Sequence, residues 1–221
     1  MPSSPALTPP VARTDAPTQG LRARKKAATR EALAREALAL FAARGFEATT
    51  VDDVAAAAGV SRRTLFRYFP TKEALAFPRF DERLARFEAL LTEPHEDGFQ
   101  ALRRATLALA RAYEAERDEV VAQQKVVDAS PALVARERAL DLAWERAIAR
   151  ALQARGFQAA QAHVLAGASM GAVRATLRGW FAAGAPADLV ARGEAALRLL
   201  EPGFRLAAHP PGAASDPTPP T

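Results

Sequence analysis

Residues 45–77 read GFEATTVDDVAAAAGVSRRTLFRYFPTKEALAF. Gly45 sits where a preceding helix must end, because glycine reaches the left-handed conformation of a helix C-cap at no steric cost, and Phe46 is placed to fold back on that last turn. Thr49 and Thr50 offer hydroxyls to the free amides of a short second helix, whose Val51, Val54, Ala55 and Ala58 share one face. Gly59 closes this helix and Val60 is the hydrophobic residue of the turn. Ser61 caps a third helix running through Arg62, Arg63, Thr64, Leu65, Phe66, Arg67, Tyr68 and Phe69. Pro70 stops it, and Thr71 caps a fourth helix opening at Lys72. Two short helices around a glycine-containing turn, the second carrying basic and aromatic side chains, are the parts of a helix-turn-helix.

Upstream, a first helix is expected from about Arg22 to Arg44, with Leu33, Ala37, Leu40 and Phe41 as its buried stripe. Downstream, Ala, Leu, Arg and Glu dominate, β-branched residues are sparse and no strand pattern occurs. Breakers at Pro94, Gly98, Pro131, Gly156 and Pro186 divide the rest into helices starting near Phe99, Glu116, Pro131, Phe157 and Pro186. Pro78 is read as bending the fourth helix, because Phe77, Phe80, Leu84, Phe87 and Leu91 carry the apolar pattern past it. The expectation is an all-α chain of about nine helices. A DNA-binding domain spans 21–78, a ligand-binding and dimerisation domain spans 79–208, and Pro- and Ala-rich tails cover 1–20 and 209–221.

Charge is distributed unevenly over the 221 residues. Residues 21–78 hold eleven Lys or Arg against six Asp or Glu, whereas 79–221 hold eighteen of each. The excess behind the net charge of +5 therefore falls in the helix-turn-helix segment, the footprint of a polyanion-binding face joined to a neutral partner domain. Absence of cysteine excludes disulfides, thiolate metal sites and a cysteine nucleophile. His95, His163 and His209 are scattered, without metal-ligand spacing, and no Gly-rich phosphate loop occurs, so neither catalysis nor a cofactor is expected. With no signal-peptide layout and no apolar run approaching the roughly 18 residues of a membrane span, a cytoplasmic location without membrane attachment is expected.

A recognition helix entering the major groove reads base edges with side chains near its N-terminus, while caps and flanking cations hold phosphates. Arg62 and Arg63 can each pair with a guanine edge, Thr64 can touch a thymine methyl or a phosphate, and Tyr68 can reach a phosphate. Leu65 and Phe69 read as core. Arg22, Arg24, Lys25, Lys26 and Arg30 are candidates for sequence-blind phosphate contacts. The whole stretch from Gly45 to Phe77 resembles the DNA-binding signature of the TetR family, and the resemblance extends over about residues 25–78. It implies a homodimer on double-stranded operator DNA, with Thr50, Arg62, Arg63, Thr64, Phe66, Tyr68 and Lys72 on the DNA. Phe66 departs from the tyrosine common there, which leaves van der Waals contact in place of a phosphate hydrogen bond.

Small residues on the last two long helices nominate a dimer surface: Ala160, Val164, Gly167, Ala168, Gly171 and Ala175 on the eighth, and Leu189, Gly193, Ala196, Leu197 and Leu200 on the ninth. Packing within one subunit is the alternative. Phe77, Phe80, Leu84, Phe87, Leu91, Leu107, Tyr113 and Trp144 are candidate walls of an apolar effector pocket, with ordinary core as the competing reading. The stretch 111–156 resembles the C-terminal domain of mycofactocin-type TetR regulators, which implies an acyl-CoA-like effector with Arg111, Arg174 or Arg178 meeting phosphates, unless these arginines pair with carboxylates. The fourth helix is the expected lever between pocket and DNA, and ligand is expected to release a repressor from its operator. Competing expectations are an architectural protein indifferent to DNA sequence, a drug-responsive repressor of efflux genes, and an activator.

Overall fold

A computed structural model describes residues 16–93 and 97–208. Nine α-helices account for most of them: α1 (Ala16–Arg44), α2 (Val51–Ala57), α3 (Arg62–Tyr68), α4 (Phe80–Leu91), α5 (Gly98–Ala115), α6 (Arg117–Asp128), α7 (Pro131–Gln153), α8 (Ala159–Ala182) and α9 (Leu189–Ala208), with one 3-10 turn at Glu73–Ala76. No strand occurs among the described residues. The expected tails lie outside the described residues, except that 16–20 already belong to α1.

The helix ends follow from the residues at them. Gly45 and Gly59 hold φ of +84° and +65°, and the Phe46 ring returns edge-on to Phe41 at 5.1 Å. Thr50 forms a reciprocal capping box with Asp53, each side chain serving the other's backbone N–H, a device worth about 1 kcal/mol. Thr49 does not share this work: it is fully buried, and its hydroxyl donates to the Gly45 carbonyl at 2.8 Å. Ser61 caps α3 by accepting from the Thr64 amide at 3.1 Å.

The fourth helix is a correction. Thr71 does cap, accepting from the Ala74 amide, but the helix it opens is only the turn Glu73–Ala76, and α4 begins afresh at Phe80. Proline has no N–H to donate and clashes with the preceding turn, so Pro78 separates the two pieces instead of bending one. The apolar spacing runs on across it although the two pieces pack differently: Leu75, Ala76 and Phe77 join residues of α1, α2 and α3, whereas Phe80, Leu84, Phe87 and Leu91 join residues of α5, α7, α8 and α9.

Two principal cores result. The first joins Leu33, Ala37 and Phe41 of α1 to Val54, Leu65, Phe69 and Leu75, and it also takes in Val126, Val127 and Leu133 from the α6–α7 corner. The DNA-binding end thus borrows residues some fifty positions beyond Pro78, although composition placed its boundary there. The larger core lies between α4, α5, α7, α8 and α9, around Phe87, Leu102, Trp144, Ile148, Leu152, Met170 and Leu197. Among the described residues no helix is long and apolar enough to cross a membrane.

Candidate DNA-binding face and ligand cavity

The α2–turn–α3 unit is seated by Val54, Leu65 and Phe69, all essentially inaccessible, so the opposite side of α3 must face solvent. Arg62, Arg63, Phe66 and Arg67 are exposed there, with Thr64 and Tyr68 half-buried at the margin. Arg62 is pre-positioned: its guanidinium pairs with Asp52 of α2 at 2.8 Å and lies 5.5 Å from the centre of the Phe66 ring. Arg63 makes no hydrogen bond or ion pair among the described residues and is available in full. The Thr64 hydroxyl lies 2.9 Å from that of Ser61 at the helix start. Lys72 lies over the Phe46 ring at 4.2 Å and donates to the Glu47 carbonyl at 3.4 Å. Lys25 and Lys26 are exposed on α1, and Thr50 is exposed at the tip of α2 while committed to its cap. Thr50, Arg62, Arg63 and Phe66 are thus exposed, and Thr64, Tyr68 and Lys72 half-exposed.

Arg30 has a different task from the phosphate contact expected of it. Its guanidinium donates to the carbonyls of Tyr68 at 2.9 Å and Pro78 at 2.8 Å and lies over the Phe69 ring at 4.4 Å. These bonds fix the end of α3 and the approach to α4 against α1. Five further contacts tie this end and the start of α4 to α6 and α7. Gln123 donates to the Ala76 carbonyl at 2.8 Å. Arg79 pairs with Glu116 and Glu119, and Arg83 with Glu116. Ser130, at the start of α7, donates to Glu47 at 2.6 Å, which with Lys72 nearby holds the Glu47 carboxyl below its ordinary range.

Between α4, α5, α6, α7 and α8 lies a cavity of about 140 Å3. Of the expected pocket residues it brings together Phe77, Phe80, Phe87, Tyr113, Trp144 and Arg174. Leu84 and Leu107 belong to the core packing around it, Leu107 lying against Gly193 of α9. Arg111 and Arg178 are exposed on α5 and α8 and do not line it. Arg174 pairs with Asp141 at 3.2 Å and Glu145 at 3.6 Å. The polar wall that sequence reading missed is Gln123, Gln124, Glu137 and Asp141. Burial pushes the Glu137 carboxyl up, aided by Asp141 and Asp128, and burial likewise raises Asp141 despite Arg174. The missed signal was periodic: Glu137, Asp141, Trp144 and Ile148, at offsets 0, 4, 7 and 11, place two carboxylates on the apolar stripe of α7.

The expected face of α9 is also corrected. Leu189, Gly193 and Leu197 are buried within the subunit, and Gly193, Ala196 and Leu197 wall a small hollow of about 40 Å3 against α5 and α8. The outward face of α9 carries Leu199, 83% exposed, and Leu206, 62% exposed. On α8, Ala160, Val164, Ala168 and Ala175 are exposed and Gly167 and Gly171 half-exposed.

Comparison with known proteins agrees with this layout. A sequence model described as bacterial regulatory proteins of the tetR family matches residues 33–77, and one described as the MftR C-terminal domain matches 96–205. MftR of Mycobacterium tuberculosis, whose name assigns it to transcriptional regulation of mycofactocin biosynthesis, is 35% identical over 129 residues, 58% of this chain and 65% of that protein. The HTH-type transcriptional regulator TcmR of Streptomyces glaucescens is 38% identical over 146 residues, 62% of this chain and 64% of that protein. The chain thus spans just under two thirds of the length of both relatives. SmeT from Stenotrophomonas maltophilia, solved in complex with triclosan, shares the fold with a TM-score of 0.60 at 22% identity over 87% of this chain and 100% of that one.

Proposed function

The chain belongs to the TetR family of bacterial regulatory proteins, with a C-terminal domain of the MftR type, and from that premise we propose that it is a cytoplasmic homodimeric repressor released from operator DNA by a small effector. The observation that carries the reading is the recognition helix: α3 is anchored by a dry apolar side and turns Arg62, Arg63 and Phe66 outward. Base reading falls to Arg62, Arg63 and Thr64, while Tyr68, Lys72, Lys25 and Lys26 take phosphates and Thr50 sets the start of α2 against the backbone.

Two half-sites one DNA turn apart require two copies. We place the dimer contact on Val164, Ala168, Gly171 and Ala175 of α8 with Leu199 and Leu206 of α9, because small and apolar residues left exposed on adjacent helices suit a four-helix contact. The cavity of about 140 Å3 is the effector seat, and the lever comprises α4 together with α6, whose Gln123 lines the cavity and holds the Ala76 carbonyl.

The test is binding, at fixed salt, to the duplex beside the protein's own coding region and to a scrambled duplex of equal length. Preference for the first supports the regulator. Equal affinity for both would favour an architectural protein, for which sequence is immaterial. Addition of a long-chain acyl-CoA, the effector class that the C-terminal resemblance implies, should lower operator affinity if that class is the cognate one.

A further inference from the structure

The wall of the effector cavity carries a charge pattern that narrows its ligand. Trp144 meets Phe87 edge-on at 5.1 Å and Phe80 at 6.0 Å, and Tyr113 stands on the α5 side, so the hollow is framed by aromatic faces and edges. Two cations reach it, and both are already engaged. Arg83 pairs with Glu116 at 2.7 Å and lies 4.6 Å from the Tyr113 ring centre. Arg174 is shared by Asp141 and Glu145. Glu137 lines the same space without an ion-pair partner within 4.0 Å among the described residues. Its surroundings are the amide of Gln124, the repelling carboxylates of Asp141 and Asp128, and exposed Arg138, the weakest influence on it.

We propose that this cavity receives a small aromatic cation, its ring among Phe80, Phe87 and Trp144 and its protonated amine or amidine against the Glu137 carboxylate. The proposal rests on the reading of this cavity as the effector seat. Size supports a single ring, because a cavity of roughly 150 Å3 lined by apolar side chains accepts benzene. Charge supports a cation. A partly buried carboxylate gains most from a permanent partner, and aromatic faces attract the same positive group. An anionic headgroup would instead meet Glu137 and Asp141 and find both arginines taken.

The test uses three probes of one shape: 2-phenylethylammonium, neutral ethylbenzene and 3-phenylpropionate. Calorimetric titration of the full chain should rank them in that order, with the cation at least about tenfold tighter than the anion, a difference of about 1.4 kcal/mol. Glu137→Gln should lower affinity for the cation about tenfold and leave ethylbenzene unchanged, while Glu137→Asp should retain the preference for the cation. The proposal is overturned if the anion binds as tightly as the amine, or if Glu137→Gln leaves the amine unaffected. Operator binding is measured separately on the same samples. Amine binding without operator release would spare the ligand assignment and count against its role as effector. Operator preference without amine selectivity would do the reverse.

Discussion

At the scale of single residues, function divides between side chains that are free to bind and those that hold others in place. Arg63 has no partner to give up among the described residues, so Arg63→Ala should lose about 1–3 kcal/mol of operator affinity and relax discrimination at one base pair. Lys25→Ala should weaken operator and scrambled DNA alike and reduce the salt slope by about one, as read from affinities across a salt series. Arg62 must exchange Asp52 for a base edge, and Asp52→Ala therefore tests whether that pair positions or competes. Glu137 yields a stability prediction of unusual sign. Its folded-state pKa is raised by burial and by Asp141 and Asp128, so the folded chain binds more protons than the unfolded one between the ordinary glutamate value and the raised one. Stability from this group is present at low pH and lost as pH rises through that window. Glu137→Gln should therefore raise the melting temperature at pH 7 and make little difference near pH 4, and equal shifts at both values would contradict the assignment. The exposed residues of α3 were legible in sequence because they sit in one continuous run with its caps. Glu137 was not, because an acid on a helix reads as solvated until its neighbours are known.

At the scale of elements, local chemistry and partner geometry were legible to different degrees. Gly45, Gly59, Ser61 and Thr50 announce helix boundaries through their own backbone or hydroxyl: the two glycines follow the ends of α1 and α2, and Thr50 and Ser61 open α2 and α3. Pro78 was misread because apolar spacing can run on across a break between two cores: Leu75, Ala76 and Phe77 before it pack in the first, and Phe80, Leu84, Phe87 and Leu91 after it in the second. The register of α9 was misread for a related reason. Periodicity identifies an apolar stripe but not whether it meets the same subunit or another, and α9 carries two stripes on different sides of the helix. The inner one, with Gly193 and Leu197, packs on α5; the outer one, with Leu199 and Leu206, has no partner within the described chain. Leu199→Asp should accordingly yield a folded monomer by sedimentation, with operator affinity sharply reduced because one recognition helix reads only a half-site. Leu197→Asp should lose the fold, since it puts a charge into a fully enclosed position. A dimeric Leu199→Asp protein would move the interface away from this face.

At the scale of the whole molecule, a hollow deep in the second core has to be linked physically to α3. Ligand can shift operator affinity only if it prefers one arrangement of the two ends over another. The structure offers a physical route for that preference in the α6–α7 corner, whose Val126, Val127 and Leu133 are embedded in the DNA-binding core while Gln123, Gln124 and Glu137 on either side line the cavity. Displacement of α6 or the first turns of α7 by a ligand must therefore move residues packed beneath α1 and the turn before α2. Sequence could not show this corner, because its contacts join residues 47 and 130, and 76 and 123, which no local pattern links. Glu47→Ala isolates the point. It removes the bond from Ser130 on an exposed side chain and leaves the Ser130 cap on α7 in place. We expect operator affinity and cavity binding, each measured alone, to change little, while the factor by which ligand lowers operator affinity becomes smaller. Because Ser130 and Lys72 hold the Glu47 carboxyl below its ordinary range, the link contributes stability above that range that is lost as pH falls through the lowered value. Coupling in the unmodified protein should fade over the same acid window, and it should already be weak and insensitive to pH in Glu47→Ala. Full coupling in Glu47→Ala would leave α4 as the sole lever.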